Sequence, residues 1–183
     1  SNDLKEFDYE VHNAIDLNIT YAWIQQKKLY IGGSSPAARE RSVIQAAYSC
    51  NTAINHYCIE HNYESMGATM ACFLMDSWDP NFATVFHAGD SRVYRWRGRE
   101  LERLTCDHTL AEAENVNEED LPKEQQGILT NVLGISSDFF LERFSCDVMC
   151  GDIFLICSDG LYRMVPEEIL KNPANDFVRE LIK

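Results

Sequence analysis

Residues 151–165, GDIFLICSDGLYRMV, decide the fold. A Gly151-Asp152 turn leads into the apolar run Ile153-Phe154-Leu155-Ile156-Cys157, which ends at Ser158-Asp159-Gly160. A short β-branched and aromatic run bounded by turn residues predicts a strand buried on both faces. A carboxylate at the tip of such a strand is costly to desolvate unless a cation or several donors meet it. Gly160 allows a sharp turn or the close approach of a ligand. Asp159 is therefore a candidate metal ligand around which the rest of the chain is organised.

Working outward, the same feature recurs. Residues 82–88, FATVFHA, read as a strand that runs into Gly89-Asp90-Ser91-Arg92. Residues 67–75 form a compact apolar run before it, residues 93–96 alternate after it, Arg97-Gly98 turns, and residues 100–104 alternate again. Together these predict a meander of short antiparallel strands. Residues 106–127 are polar and acidic and predict a surface excursion with short helical turns. Residues 128–133 return to the core, and residues 139–149 predict a further strand with Leu141 and Phe144 on its apolar side.

The flanks are helical. Leu4, Phe7, Val11, Ile15, Ile19, Ala22 and Trp23 recur at three- and four-residue steps, predicting a helix over 3–28. The Gly32-Gly33 pair breaks it, and Ser34 or Ser35 with Pro36 offers a cap and first turn for a second helix over 36–61. Val43, Ala47, Cys50, Ile54 and Tyr57 make the expected buried stripe of that helix. Two helices joined by a short loop predict an αα-hairpin laid against the strands. Residues 166–183 open with Pro166-Glu167-Glu168, a favourable first turn for a closing helix.

At 183 residues the chain suits one domain with a real core. A net charge of −13 argues against nucleic-acid binding and suits a soluble acidic protein or one that gathers cations. Seven cysteines, with no C-x-x-C pair, read as reduced thiols of a cytoplasmic protein. Neither a signal peptide nor a spanning segment is visible, so no membrane partner is expected.

Two strand-end aspartates in an acidic chain suit hard divalent cations such as Mg²⁺ or Mn²⁺, which take oxygen ligands and acidify a bound water for phosphoester hydrolysis. On spacing alone Asp90 suits a turn cap bonded to local N–H groups or to Arg92 better than a metal ligand, whereas Asp159 suits either role. No catalytic triad or Cys/His pair is assigned, so no catalytic side chain is named.

Four segments carry a family resemblance: MGAT (66–69), HAGDSRVY (87–94), LTCDHTL (104–110) and GDIFLICSDGL (151–161), with ILTNVLG (128–134) between the last two. In order and spacing they resemble the PPM family of metal-dependent Ser/Thr protein phosphatases, the protein phosphatase 2C type. The resemblance implies an α+β fold, a four-layer α-β-β-α sandwich of two antiparallel sheets flanked by helices. It implies two Mg²⁺ or Mn²⁺ ions, a phosphorylated protein substrate, and direct attack by a metal-activated water. Carried over by position, Asp159 is a ligand of the binuclear centre, Asp90 belongs to a third, weaker metal site, and residues 106–127 form a flap beside it.

The chain also departs from that pattern. The family's upstream phosphate-gripping Arg and its Asp-Gly-x-Gly-Gly segment are not found, nor is the closing Asp-Asn strand. Arg163 stands four residues after Asp159, where a second acid is common. The expectation is a single domain over 1–183 that is truncated at both ends, lacks its terminal strands, has no substantial activity by itself, and self-associates through exposed sheet edges. The alternative is a degenerate relative that acts as a binding or regulatory module.

Overall fold

The structure, a computed structural model, describes residues 35–76, 78–135, 138–165 and 167–171. The expected helix over 3–28, the loop glycines Gly32 and Gly33, and the end of the closing helix lie outside the described residues.

Helix α1 spans Pro36–His61. Ser35 is its N-cap: the Ser35 hydroxyl accepts from the Ala38 N–H, and Pro36 fills the first turn, where its missing N–H costs nothing. Asn62 ends it in the left-handed conformation (φ 54°), its N–H returned to helix carbonyls. Six strands follow: β1 (Met70–Met75), β2 (Phe82–Ala88), β3 (Arg92–Arg97), β4 (Glu100–Arg103), β5 (Glu142–Asp147) and β6 (Ile153–Cys157). Between β4 and β5 lie helix α2 (Leu110–Glu114) and two 3₁₀ turns, Glu118–Asp120 and Lys123–Gln125. After β6 come the short helices α3 (Asp159–Tyr162) and α4 (Glu167–Leu170).

The strands form two antiparallel sheets, ordered β1-β2-β5 and β4-β3-β6. Alternation along β2 sets the layering. Phe86 and Ala88 join Val43, Ala47, Ile54 and Cys58 of α1 in one buried cluster, and the Thr84 hydroxyl donates to Glu40 of α1 at 2.7 Å. The opposite face of the sheet meets the second sheet. Phe73, registered against Val85, packs on Phe154 of β6 with ring centroids 4.3 Å apart. Arg95 and Arg97 of β3 reach across to Asp147 of β5. Trp96, between them in sequence, faces the other way and donates its indole N–H to the Leu170 carbonyl of α4. Full burial of Phe86, Val85 and Leu133 contributes roughly 1.5–3 kcal/mol each.

Four expectations need correction. The strands are not one meander: β2 and β3 are consecutive but belong to different sheets, because the chain crosses over at residues 89–91. Hydrophobic alternation specifies a face and leaves the pairing partner open. Strand β6 is not buried on both faces, since Ile153 and Ile156 are 39% and 41% exposed. It is an outer strand that pairs with β3 alone among the described residues. Leu141 and Phe144 do not share a strand face, because Leu141 lies one residue before β5, whereas Phe144 is within it and registers against Val85. Leu141 instead packs against the α1 cluster. Finally, the buried stripe of α1 includes Asn51, whose side-chain oxygen accepts from the buried Gly134 N–H at 2.7 Å and so anchors the loop carrying ILTNVLG.

Candidate active site

The crossover turn at residues 89–92 is where the scattered sequence segments meet. Gly89 has φ +105°, and a Cβ there would lie 2.4 Å from Thr69 Cγ2, so only glycine fits. His108 grips the Gly89 peptide on both sides: its backbone N–H donates to the Gly89 carbonyl (2.9 Å), and its ring Nδ1 accepts from the Gly89 N–H (3.2 Å). Thr69 and Ser91 share a hydroxyl hydrogen bond of 2.8 Å. The Val93 N–H donates to Thr105 Oγ1 (3.1 Å). Ala68 and Leu133 exchange backbone hydrogen bonds, and the Asn131 amide donates to His108 Nδ1. The Tyr162 hydroxyl donates to the Asp90 carbonyl at 3.0 Å. The other segments therefore gather around the turn that carries Asp90, MGAT and LTCDHTL directly, the 151–165 stretch through Tyr162, and ILTNVLG at one remove through Ala68 and His108.

Beside that turn, Arg92 forks onto Asp107. Its Nε donates to both carboxylate oxygens (3.0 and 3.1 Å) and its Nη2 to Oδ2 (2.6 Å). The guanidinium also lies 3.5 Å from the centroid of the Tyr162 ring. Asp107 is buried, so the charge-assisted fork satisfies a carboxylate that would be costly to leave unpaired there. Arg92 is thus committed to Asp107, which removes it as the partner of Asp90.

Burial, followed by the charges of Asp159 and Asp107, pushes the Asp90 carboxyl above its ordinary value, while Arg163 acts in the opposite direction. The two strand-end aspartates feel one another, in a place with surplus negative charge. Their settings differ. Asp159 opens α3, and its side chain is 52% exposed, which overturns the expected costly burial. Gly160 has no positive φ, and a Cβ there would meet Ser158 Oγ at an ordinary 3.6 Å, so no sharp turn depends on it. Arg163 Nε lies 3.5 Å from Asp159 Oδ2, and Arg163 Nη2 lies 3.3 Å from Glu118 Oε1. A pocket of about 370 Å³ opens here, lined by Arg92, Asp107, Glu118, Tyr162 and Arg163 among others.

Beneath the turn lies a group that the sequence reading missed. His87, His108 and Glu142 bring ligand-capable atoms within 4.8 Å of one another, as a metal site requires. His87 Nδ1 is 3.2 Å and His108 Nε2 3.7 Å from the same Glu142 oxygen. The hydrogen bonds oppose a metal bound through His108 Nε2. Nδ1 of His108 accepts from two N–H donors, so the proton of the neutral ring sits on Nε2, facing Glu142. Glu142 is a carboxylate set between two imidazole rings. Burial outweighs the opposing pull of the Ser91 backbone and Asp107 and lowers His87 to about 4; burial and His87 lower His108. His87 Nε2 is buried with no hydrogen-bond partner among the described residues. A lone His at a strand end reads as core, and only the pairing of His87 with Glu142 across β2 and β5 reveals the group.

No known family profile matches the chain. The serine/threonine phosphatase Stp of Listeria monocytogenes is 33% identical over 122 residues, covering 62% of this chain and 47% of that protein. The protein phosphatase PhpP of Streptococcus pneumoniae is 29% identical over 120 residues, covering 63% and 48%. The chain thus spans about half the length of the curated relatives it matches. Among solved structures, the Mycobacterium tuberculosis serine/threonine phosphatase PstP/Ppp superposes with a TM-score of 0.59 at 27% identity, over 77% of this chain and 59% of that one. The PstP catalytic domain in complex with two manganese ions shares the fold (TM-score 0.61, 24% identity, 84% and 65% covered). With two antiparallel sheets, motif segments gathered around one turn and these relatives, the chain is similar to serine/threonine protein phosphatases of the PPM family.

Proposed function

We propose that this chain supplies the strand-end half of a PPM-type phosphatase site, in a domain that removes phosphate from phosphoserine or phosphothreonine of a protein substrate. The observation that carries this reading is the convergence of Asp90 and Asp159 at the ends of the paired strands β3 and β6, tied by the Tyr162 hydroxyl on the Asp90 carbonyl; burial first, and the charge of Asp159 second, push the Asp90 carboxyl up. Carboxylate oxygens in an acidic setting suit Mg²⁺ or Mn²⁺. Asp159 and Asp90 would hold the cation, which when bound supplies charge stabilisation and an acidified water. This chain's own residues do the positioning. His108, Thr69 and Tyr162 hold the Asp90 backbone, and Arg92 and Asp107 wall the adjoining pocket. The 106–127 segment is the flap beside it. The complete domain is a four-layer α-β-β-α sandwich, to which α1 and the two described sheets contribute three layers and α4 the start of the fourth. The open edges of the sheets favour self-association.

A second reading, a degenerate relative that binds or regulates, is favoured by one observation: Arg163 pairs with Asp159. On either reading the 183-residue chain alone is expected to lack substantial phosphatase activity, because the strand ends among the described residues offer too few carboxylates for two ions. Purified chain should bind Mn²⁺ in calorimetry, lose that binding in Asp159→Asn, and show no Mn²⁺-dependent hydrolysis of p-nitrophenyl phosphate. Turnover by the chain alone would overturn the expected inactivity, and Mn²⁺ binding unchanged in Asp159→Asn would overturn the assignment of Asp159.

A further inference from the structure

We propose that Arg163 is a built-in counter-cation that ties the acidic 115–121 segment to the Asp159 strand end and is displaced when a divalent cation binds there. This inference rests on the reading of Asp159 and Asp90 as cation ligands. Arg163 stands one helical turn after Asp159 and touches two carboxylates from opposite sides, Asp159 at 3.5 Å and Glu118 at 3.3 Å. Glu118 opens the first 3₁₀ turn of the acidic segment, whose next anchor is the buried Leu121. Arg163 therefore joins two stretches of chain 45 residues apart.

The two cations lining the pocket differ in how firmly they are held. Arg92 makes three short contacts to buried Asp107 and stacks on Tyr162. Arg163 makes one longer contact to each carboxylate and a further hydrogen bond to Tyr162, and its side chain is 45% exposed, as Asp159 (52%) and Glu118 (38%) also are. Exposed ion pairs of this kind contribute little and exchange readily. A divalent ion at Asp159 attracts that carboxylate with twice the charge of Arg163 and repels the guanidinium in the same small space. Cation and Arg163 therefore compete for Asp159, and Glu118 is released with Arg163. The acidic segment is latched in the absence of the cation and freed in its presence.

The test uses the full 183-residue chain with Mn²⁺ as the probe, at fixed ionic strength. Calorimetry should give Arg163→Ala a Mn²⁺ affinity about tenfold above wild type, with Arg163→Lys within about twofold of wild type. Amide hydrogen exchange over 115–121 should be faster in cation-free Arg163→Ala than in cation-free wild type. Adding Mn²⁺ to wild type should bring its exchange to the Arg163→Ala level. Equal affinities in wild type and Arg163→Ala, or exchange over 115–121 indifferent to both the substitution and Mn²⁺, overturn the latch. Asp159→Asn separates the two levels. If it abolishes Mn²⁺ binding while Arg163→Ala leaves affinity unchanged, the latch fails and the cation site stands. If Asp159→Asn binds as tightly as wild type, or no form of the chain binds, the cation-site reading fails and the latch with it.

Discussion

Asp90 and Asp159 carry the same sequence signature, an aspartate where an apolar strand leaves its sheet, yet the fold treats them in opposite ways. The backbone of Asp90 is gripped from four directions, by Gly89 against Thr69, by His108, by Ser91 through Thr69, and by Tyr162. Asp159 sits half exposed at the start of a one-turn helix and is met by a single exposed arginine contact. A half-buried carboxylate on a firmly held backbone and an exposed carboxylate under an exchangeable cation make different contributions to one site. The first defines position, and the second responds to what binds.

The comparison is most exposed to test at its two glycines. Gly89→Ala places a Cβ against Thr69 at positive φ and should cost about 4 kcal/mol from backbone strain and overpacking together, whereas Gly160→Ala should be neutral or slightly stabilising. Urea unfolding of both variants checks this, and equal losses would break the contrast.

The histidines beneath Asp90 give its turn a pH dependence. His87 titrates at about 4 in the folded chain against 6.5 when unfolded, because burial disfavours its charged form. A lowered folded value means that the full stabilisation is present above pH 6.5 and is lost as pH falls from 6.5 to 4. The loss is about 3 kcal/mol over that window. Unfolding free energies measured at pH 7 and pH 4.5 should show it, and His87→Gln should flatten the slope.

The arginines supply a smaller contrast. Arg92→Ala leaves buried Asp107 with only the longer Arg103 contact (3.7 Å) and should cost about 2–3 kcal/mol, reduced from the fully buried, unpaired case because Arg92 is partly exposed and Arg103 remains. Arg163→Ala removes only exposed pairs and should cost less than about 1 kcal/mol. Thermal melts of the two variants rank them, and a larger Tm loss for Arg163→Ala would reverse the assignment of rigid and responsive ends.

Much of the fold was legible in residue order. Helix α1 begins at the Ser35-Pro36 cap and ends where its periodicity stops, and β2, β3 and β4 fall where alternation and the Arg97-Gly98 turn place them. Local rules suffice there because capping, turn chemistry and hydrophobic period act over a few residues. The ordered motifs likewise carried the family resemblance without coordinates.

Other features depended on distance in space. Whether β2 pairs with β3 or β5 is not encoded in alternation, so the split into two sheets appeared only in three dimensions. The exposure of β6 depends on what covers it, which its own residues do not specify. The His87–Glu142–His108 group joins residues up to 55 positions apart, and Arg92 chose Asp107 over the nearer Asp90 because only Asp107 presents a buried carboxylate to the fork. By itself the sequence determined which segments become strands and helices and which aspartates end them. The tertiary structure decided which aspartate has its backbone clamped and half-buried and which stands exposed under an arginine, because burial and hydrogen-bond partners are properties of neighbours brought together by folding.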